Sequence, residues 1–339
     1  MKSLLLIPAF VLASCICPIN YLAAQTLTWS APITDTNVAM SGISQRQAPA
    51  AAVFNHKMYM AYTSDNAYGD SYGDNYVYYG SNSGGVTDYE PVGYINPAGG
   101  NAITNLNPSL LAFGSSLYLV VATYGNGFPP AYSAMNTSGQ WGVMTGFPTT
   151  APAAGSPAGM ATDTTTYLYM GYRNINDNTL VLCRMNTSQV ITCNSFPGTE
   201  TMGFSPALLY YGGNLYIAFQ DLNSHNLDYY VSTDQGQTIG NLITTAASDQ
   251  TSTAPSLAYH NGYIYMAFRA NGGAHNFLYK ATSNGGASWP NTYPASPGYS
   301  MGGNPSIVDG TGLQNYSSYL YNIFAQDGSP YYVSTSFGQ

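Results

Sequence analysis

Short apolar runs separated by turn residues recur along the chain. In the clearest two segments, PALLYYGGNLYIAFQ from Pro206 and PSLAYHNGYIYMAFR from Pro255, an apolar run leads through a Gly or Asn turn into an aromatic-rich run. A third run, a Gly turn and a weaker fourth run follow in each unit. Such short runs at regular spacing predict four-stranded antiparallel meanders. Since no helical period is visible anywhere, we predict an all-β fold.

The unit repeats six times at a nearly constant period. The repeats begin at prolines 49, 108, 157, 206, 255 and 305, which are 59, 49, 49, 49 and 50 residues apart. Their runs are apolar on both faces, as expected for sheets that each pack between two neighbours. Blades of this length are typical of β-propellers. We therefore predict a single six-bladed β-propeller domain over residues 25–339, with four-stranded antiparallel blades.

The two ends of the chain are complementary. The last unit stops at YYVSTSFGQ, a third strand without a fourth, and the strand-like segment Thr26–Trp29 precedes the first unit. We predict that the N-terminal strand completes the last blade and closes the ring, which removes an exposed sheet edge. The alternative, an open β-solenoid, does not require complementary ends.

Tyrosine recurs at one position of every repeat. These residues are Tyr59, Tyr118, Tyr169, Tyr216, Tyr265 and Tyr321. Because they keep the register of the repeat, we predict that they form the core between blades, with hydroxyls bonded at its rim.

Charge is scarce in this chain. It has 7 basic and 15 acidic residues, a net charge of -8 and only 6% charged residues, against about 25% in ordinary soluble proteins. An acidic chain with so few cations cannot neutralise a phosphate backbone, so nucleic acid is excluded as its main partner. A hydrophobic content of 45% indicates a folded chain rather than a disordered one.

The first 24 residues have the pattern of a secretory signal. Lys2 is followed by an apolar run and by the small residues Ala23 and Ala24, and the run is too short for a membrane span. Cleavage after Ala24 predicts a secreted or periplasmic protein. The alternative is a lipoprotein anchored at Cys15, because Leu12–Cys15 resembles a lipobox.

Two cysteines remain after this segment. Cys183 and Cys193 lie five residues on either side of Ser188, in a turn-like stretch. This spacing places them opposite each other on a hairpin and predicts a disulfide in an oxidising compartment. Neither has a histidine nearby nor CxxC spacing, so the sequence does not favour a metal site.

The turns after two third strands resemble a known motif. The segments are STDQGQT, with Ser232, Asp234 and Gly236, and TSNGGASW, with Asn284, Gly286 and Trp289. Both are similar to the Asp-box of the sialidase-like propellers, also called BNR repeats. The side chains of such a box bond their own turn, so the motif indicates a fold and not an activity.

The resemblance to sialidases implies a site with three arginines that clamp a carboxylate, together with a Tyr–Glu pair and an aspartic acid. A guanidinium binds a carboxylate in a two-pronged manner. Arg46 precedes the first blade, and Arg173 and Arg269 both end second strands. Gln220 occupies the matching position of the fourth unit. We predict that these residues share one face, although the glutamates and tyrosines match the family pattern poorly.

One loop departs from the repeat. Residues 64–75 belong to the unit that is about ten residues too long, and they contain Asp65, Asp70 and Tyr72. Because sites lie on loops more often than on the scaffold, these residues are ligand-binding candidates. The acidic loop also offers oxygen ligands for calcium, but its spacing does not match an EF-hand, so we predict neither a metal nor another cofactor.

Three functions remain open on the sequence. The first is a lectin-like propeller that binds an extracellular glycan through its loop face. The second is an exo-acting glycosidase of the sialidase type. The third is an extracellular module that binds protein. In all three, the protein is exported and is not transmembrane.

Overall fold

A computed structural model describes residues 26–40, 49–64, 76–82, 90–95, 108–122, 129–295, 298–313, 318–325 and 331–339. All regular structure in these ranges is β-strand, arranged as six sheets of four antiparallel strands. We number the sheets 1 to 6 in chain order. In the described ranges, no helix has the length and hydropathy of a membrane span.

Each sheet is a meander of neighbouring strands. Sheet 1 contains β2 (Ala50–Phe54), β3 (Lys57–Ser64), β4 (Tyr76–Asn82) and β5 (Glu90–Ile95); sheet 2 contains β6 (Ser109–Phe113), β7 (Ser116–Val121), β8 (Ala131–Met135) and β9 (Thr145–Gly146). Sheet 3 contains β10 (Gly159–Thr162), β11 (Tyr167–Arg173), β12 (Leu180–Asn186) and β13 (Ile191–Phe196); sheet 4 contains β14 (Ala207–Tyr211), β15 (Asn214–Gln220), β16 (Leu227–Ser232) and β17 (Ile243–Thr244). Sheet 5 contains β18 (Ser256–His260), β19 (Tyr263–Arg269), β20 (Phe277–Thr282) and β21 (Thr292–Pro294); sheet 6 contains β22 (Ser306–Asp309), β23 (Leu320–Ala325), β24 (Tyr331–Gly338) and β1 (Ile33–Met40).

The first strand of every sheet lies near the centre of the molecule. These six strands begin one or two residues after the repeated prolines, and each contacts the first strands of the sheets before and after it, with β22 contacting β2. We call the side where these strands begin the upper face and the side where they end the lower face. The ends of second strands therefore lie on the upper face, and the turns after third strands lie on the lower face.

The N-terminal segment pairs with the C-terminal strand over a longer stretch than predicted. We predicted Thr26–Trp29 for this role, whereas β1, at Ile33–Met40, pairs along β24. The predicted segment pairs at the C-terminal end of β24, where Trp29 bridges to Gly338 and Thr28 exchanges two backbone hydrogen bonds of 3.2 Å with Gln339. The side chain of Trp29 is buried against Phe277, with ring centroids 4.9 Å apart. Burial of this large ring fixes the segment between sheets 5 and 6.

The hydrophobic core is divided into six clusters, one between each pair of neighbouring sheets. The six repeated tyrosines are all buried in it, as predicted, at 0–7% exposure. Not all of their hydroxyl groups are hydrogen-bonded. The hydroxyl of Tyr216 donates to the Gly285 carbonyl at 2.7 Å, but those of Tyr169 and Tyr265 have no partner among the described residues. Desolvation raises the pKa of the latter two hydroxyls far above the usual range.

The predicted disulfide is confirmed. Cys183 on β12 and Cys193 on β13 stand directly opposite each other in the strand register, with a Cα–Cα distance of 4.0 Å, and their sulfurs are bonded. The intervening turn is closed by Asn186, whose side chain accepts from the backbone N–H groups of Ser188 and Val190. This Asx turn fixes the length of the hairpin loop and so places Cys183 opposite Cys193.

The two Asp-box segments form tight turns on the lower face. Asp234 accepts from the backbone N–H and the hydroxyl of Thr238, and these bonds lower its pKa to about 2. Ser232 accepts from the N–H of Gly236 at 2.9 Å. In the second turn, the hydroxyl of Tyr229 in sheet 4 donates to the carbonyl of Gly286 in sheet 5 at 2.6 Å. These turns therefore also connect neighbouring sheets.

Glycine is required where the first strands of sheets 3 and 4 meet. A Cβ atom added to Gly159 would lie 2.1 Å from the carbonyl oxygen of Pro206 and 3.0 Å from its carbon. Because both obstacles are backbone atoms, no side-chain rotation relieves the clash. This contact sets how closely the two strands approach at the centre.

We expect Gly159→Ala to lower the free energy of unfolding by about 1–3 kcal/mol, as overpacking does in dense cores. Denaturant unfolding followed by tyrosine fluorescence measures this change. Gly146→Ala is the matched control, since its Cβ atom would meet nothing within 4 Å. Equal stability of the two variants would contradict the close approach at Gly159.

Candidate functional site

A cavity of about 610 Å³ follows the centre of the molecule and is lined by the first strands of all six sheets. Pockets of roughly 300–1,000 Å³ are typical of small-ligand sites. Small side chains recur around its wall, because the residue after each repeated proline is Ala or Ser. Specific chemistry therefore comes from the larger side chains at its two mouths.

Arg173 is the cation at the upper mouth. It ends β11 and lines the cavity together with residues 155–157. Its backbone N–H donates to Ser156 at 3.0 Å, and its Nη2 donates to the Gly155 carbonyl at 2.5 Å. Nη1 donates to the side chain of Asn178 at 3.1 Å. The guanidinium is thus held at the mouth by two neighbouring segments, at Gly155 and at Asn178.

Local backbone packing explains this placement. Gly155 approaches the loop after β11 so closely that a Cβ atom would lie 2.9 Å from the Cα of Ile175. The backbone N–H of Gly155 also donates to the Arg173 carbonyl at 2.7 Å. Both ends of Arg173 are therefore anchored to the same glycine.

The Arg173 guanidinium is only partly satisfied. Its Nε is buried and has no hydrogen-bond partner among the described residues. Burial lowers its pKa, but an arginine keeps its charge at physiological pH. A half-buried cation at a cavity mouth is suited to binding an anionic group, above all a carboxylate.

Phe204 lies at the same mouth and was not among the predicted site residues. It lines the cavity and has 40% of its surface exposed, which is unusual for an aromatic side chain in this densely packed chain. The repeat pattern of the sequence does distinguish Phe204. The position two residues before the repeated proline is Gly155 in sheet 3 and Thr253 in sheet 5, so a large aromatic residue there departs from the repeat.

Two other predicted site residues are buried instead. Arg269 is 3% exposed, does not line the cavity, and donates from Nη1 to the Gly302 carbonyl at 3.3 Å. Gln220 is 2% exposed and donates to the Thr251 carbonyl at 2.6 Å, with His225 also in reach of its amide nitrogen. The Gln220 bond joins sheet 4 to the connection that leads into sheet 5, and the Arg269 bond joins sheet 5 to the connection that leads into sheet 6.

The remaining predicted ligand residues, Arg46, Asp65, Asp70 and Tyr72, lie outside the described residues, as do the signal segment 1–24 and Cys15. Their assignment to the site stays a prediction. In the ranges that the structure describes, no group of three His, Cys, Asp or Glu side chains is arranged to hold a metal ion.

Comparison with known proteins identifies the fold but not a family. The sequence matches no family model and no curated protein. In structure, the chain is similar to an α-L-arabinanase of Penicillium chrysogenum, solved with arabinobiose, at 14% identity and a TM-score of 0.65, covering 91% of this chain and 98% of that one. It is also similar to a protein of unknown function from Dyadobacter fermentans, at 9% identity and a TM-score of 0.63, covering 92% and 99% of the two chains.

A third similar structure is Trypanosoma rangeli sialidase with 2,3-difluorosialic acid, at 12% identity and a TM-score of 0.61. The match covers 94% of this chain but 57% of the sialidase. The first and third of these neighbours are propellers of the arabinanase and sialidase type. They confirm the all-β propeller and the sialidase-like fold that we predicted, and at such low identity they carry no activity with them.

Proposed function

We propose that this protein binds carbohydrate at the upper mouth of the central cavity and that its preferred ligands carry a carboxylate. The observation that carries the proposal is the pairing of Arg173 and Phe204 on one cavity mouth. A guanidinium holds the carboxylate of an acidic sugar, and an exposed aromatic face packs against the sugar ring. The cavity below is large enough for one or two sugar units.

We further propose the architecture in which this site operates. Each four-stranded sheet is one blade of a six-bladed ring within residues 25–339, and β1 completes the last blade. The disulfide between Cys183 and Cys193 supports an exported protein, because such bonds persist in oxidising compartments. The proposed partner is therefore an extracellular glycan or polysaccharide.

Binding of acidic oligosaccharides tests the function. We expect calorimetry with sialyllactose and oligogalacturonate to give binding that Arg173→Met weakens about 10- to 100-fold, the effect of losing a charged hydrogen bond. Phe204→Ala is expected to weaken it about fivefold to tenfold. No binding of any acidic sugar, or unchanged binding by both variants, would contradict the proposal.

Arg184→Met is the matched control. Arg184 lies in the same sheet as Arg173, but its guanidinium stands over the ring of Tyr167 at 5.2 Å and does not line the cavity. Removing this cation changes the net charge by the same amount. Its variant should bind acidic sugars as the wild type does.

The second candidate function is glycoside hydrolysis, which the arabinanase and sialidase neighbours favour. Most glycosidases require two carboxyl groups beside the scissile bond, and a sialidase-type site uses a tyrosine with acidic residues instead. Among the described cavity residues, Asp309 supplies one carboxyl group, and it lies at the lower end. Catalysis would therefore depend on Asp65, Asp70 or neighbours in that loop. Release of sialic acid or arabinose from oligosaccharides, lost in Asp70→Asn or Asp65→Asn, would favour this function over binding alone.

A further inference from the structure

The central cavity has a second mouth on the lower face, which the proposed function does not use. Tyr210 ends near it on β14, Tyr259 on β18 and Asp309 on β22, and all three line the cavity. The side chain of Asp309 is 30% exposed, so solvent reaches this mouth. Thr162 and Thr311 add hydroxyl groups to its rim.

The tyrosine rings at this mouth are held in fixed orientations. Tyr259 stacks on Tyr211, with ring centroids 4.3 Å apart and 21° between the planes. Tyr210 stacks on Tyr169 at 5.5 Å and 7°. In each pair one face of the cavity-lining ring is covered by another ring, while the residue stays partly exposed. Ligands that stack on these rings do not have to order them first.

Asp309 is held in the same way. Its Oδ1 lies 2.8 Å from Nδ1 of the buried His260 and accepts from the backbone N–H of Thr311 at 3.3 Å. The Nδ2 of Asn261 lies 3.0 Å from Nε2 of the same imidazole. The contact with this buried imidazole fixes the orientation of the Asp309 carboxylate at the mouth.

We propose that the lower mouth is a second carbohydrate site, selective for neutral sugars, in which Tyr210 and Tyr259 stack against the sugar and Asp309 accepts hydrogen bonds from its hydroxyls. Aromatic faces beside a carboxylate acceptor match the alternation of C–H faces and O–H groups on a sugar ring. The negative charge of Asp309 disfavours acidic sugars at this mouth. The two mouths therefore have opposite ligand preferences, set by Arg173 above and Asp309 below.

The test is calorimetry of the full mature chain with neutral hexose and pentose tetrasaccharides. We expect wild type and Arg173→Met to bind them equally. Asp309→Asn, which keeps the side-chain shape, should weaken binding about tenfold, and Tyr259→Ala should weaken it by a similar factor. Tyr293→Ala is the control, because this partly buried tyrosine on β21 packs on Tyr279 and not on the cavity.

Three results would overturn the proposal. The first is the absence of neutral-sugar binding by the wild type at millimolar concentration. The second is loss of neutral-sugar binding in Arg173→Met, which would place the sugar at the upper mouth and leave the proposed function standing. The third is binding of tetramethylammonium, lost in Asp309→Asn, without any binding of neutral sugar, because it would identify a cation site. Thermal unfolding of Tyr259→Ala shows whether that variant has lost only the site or also the fold. If Tyr259→Ala does not fold, neutral-sugar binding by Asp309→Asn alone tests the proposal.

Discussion

Replacing Lys280 with methionine is expected to lower the free energy of unfolding at pH 7 by about 3–5 kcal/mol, the usual effect of removing one partner of a buried ion pair. Nζ of Lys280 lies 2.6 Å from Oδ2 of Asp249, and the two side chains are 3% and 4% exposed. Thr292 and Thr245 bond the same carboxylate, at 2.7 and 3.0 Å. Without Lys280, Asp249 would be a buried charge bonded only by two hydroxyls. Denaturant unfolding at pH 7 measures the loss.

The pH dependence gives this prediction a second readout. Burial alone would raise the pKa of Asp249, but the bonds from Lys280 and Thr292 outweigh it, so the pKa lies below its usual value. A carboxyl group with a depressed pKa stabilises the fold above its unfolded pKa, about 3.9, and this contribution is lost as the pH falls through the folded value. In Lys280→Met the effect of burial prevails and Asp249 takes up a proton more readily. The stability difference between the two proteins should therefore shrink as the pH is lowered from 7 toward 4.

A second substitution serves as the control. In Lys280→Met/Asp249→Asn no charge is left buried, so the double variant should be more stable than Lys280→Met alone. Arg184→Met removes a partly buried cation in sheet 3 that has no ion pair with another described residue, and it should cost less than about 1 kcal/mol. If Lys280→Met were as stable as Arg184→Met at pH 7, the ion pair would not support the contact between sheets 4 and 5.

Removing the disulfide is expected to have the next largest effect. For the short loop between Cys183 and Cys193, the double substitution to alanine should lower the free energy of unfolding by about 2–4 kcal/mol. Part of this effect is a less constrained unfolded chain, and part is a poorer fit in the core, where Cys183 is fully buried. Chemical denaturation of the protein provides the measurement.

A reducing agent provides the internal control for this prediction. It should shift the unfolding midpoint of the wild type toward that of the double variant and leave the variant unchanged. A wild type that is insensitive to the reductant even after complete unfolding and refolding would show that the bond contributes nothing to stability.

Periodicity explains why much of the fold could be predicted. The recurring proline, the turn and the aromatic run fix where each first strand begins, and the structure has these strands within two residues of the repeated prolines. Tyr169 and Tyr265 occupy one position of the repeat and are both buried between sheets. The N-terminal strand was predicted too short: Thr28 and Trp29 pair at the end of β24, but the longer β1 pairs along it. The partners of β1 are at the other end of the chain, so the local sequence does not show how far the pairing extends.

The site was less predictable because it depends on contacts between repeats. Arg173 and Arg269 hold equivalent positions in the sequence, yet Arg173 lines the cavity, whereas Arg269 is buried and does not line it. The difference comes from Gly155 and Gly302, which belong to connections between sheets and accept from the two guanidinium groups. Phe204 was missed because its exposure depends on the same connections.

By itself, the sequence determined the properties that depend on local alternation and spacing: the all-β class, the repeat, the tyrosine core and the pairing of Cys183 with Cys193. These properties depend on residues that are close together within one repeat, so the local sequence is enough to predict them. Only the tertiary structure decided which side chains reach the central cavity. Arg173 stands at its upper mouth and Asp309 at its lower mouth because the first strands all run the same way through the molecule, which brings residues more than 130 positions apart to opposite ends of one space.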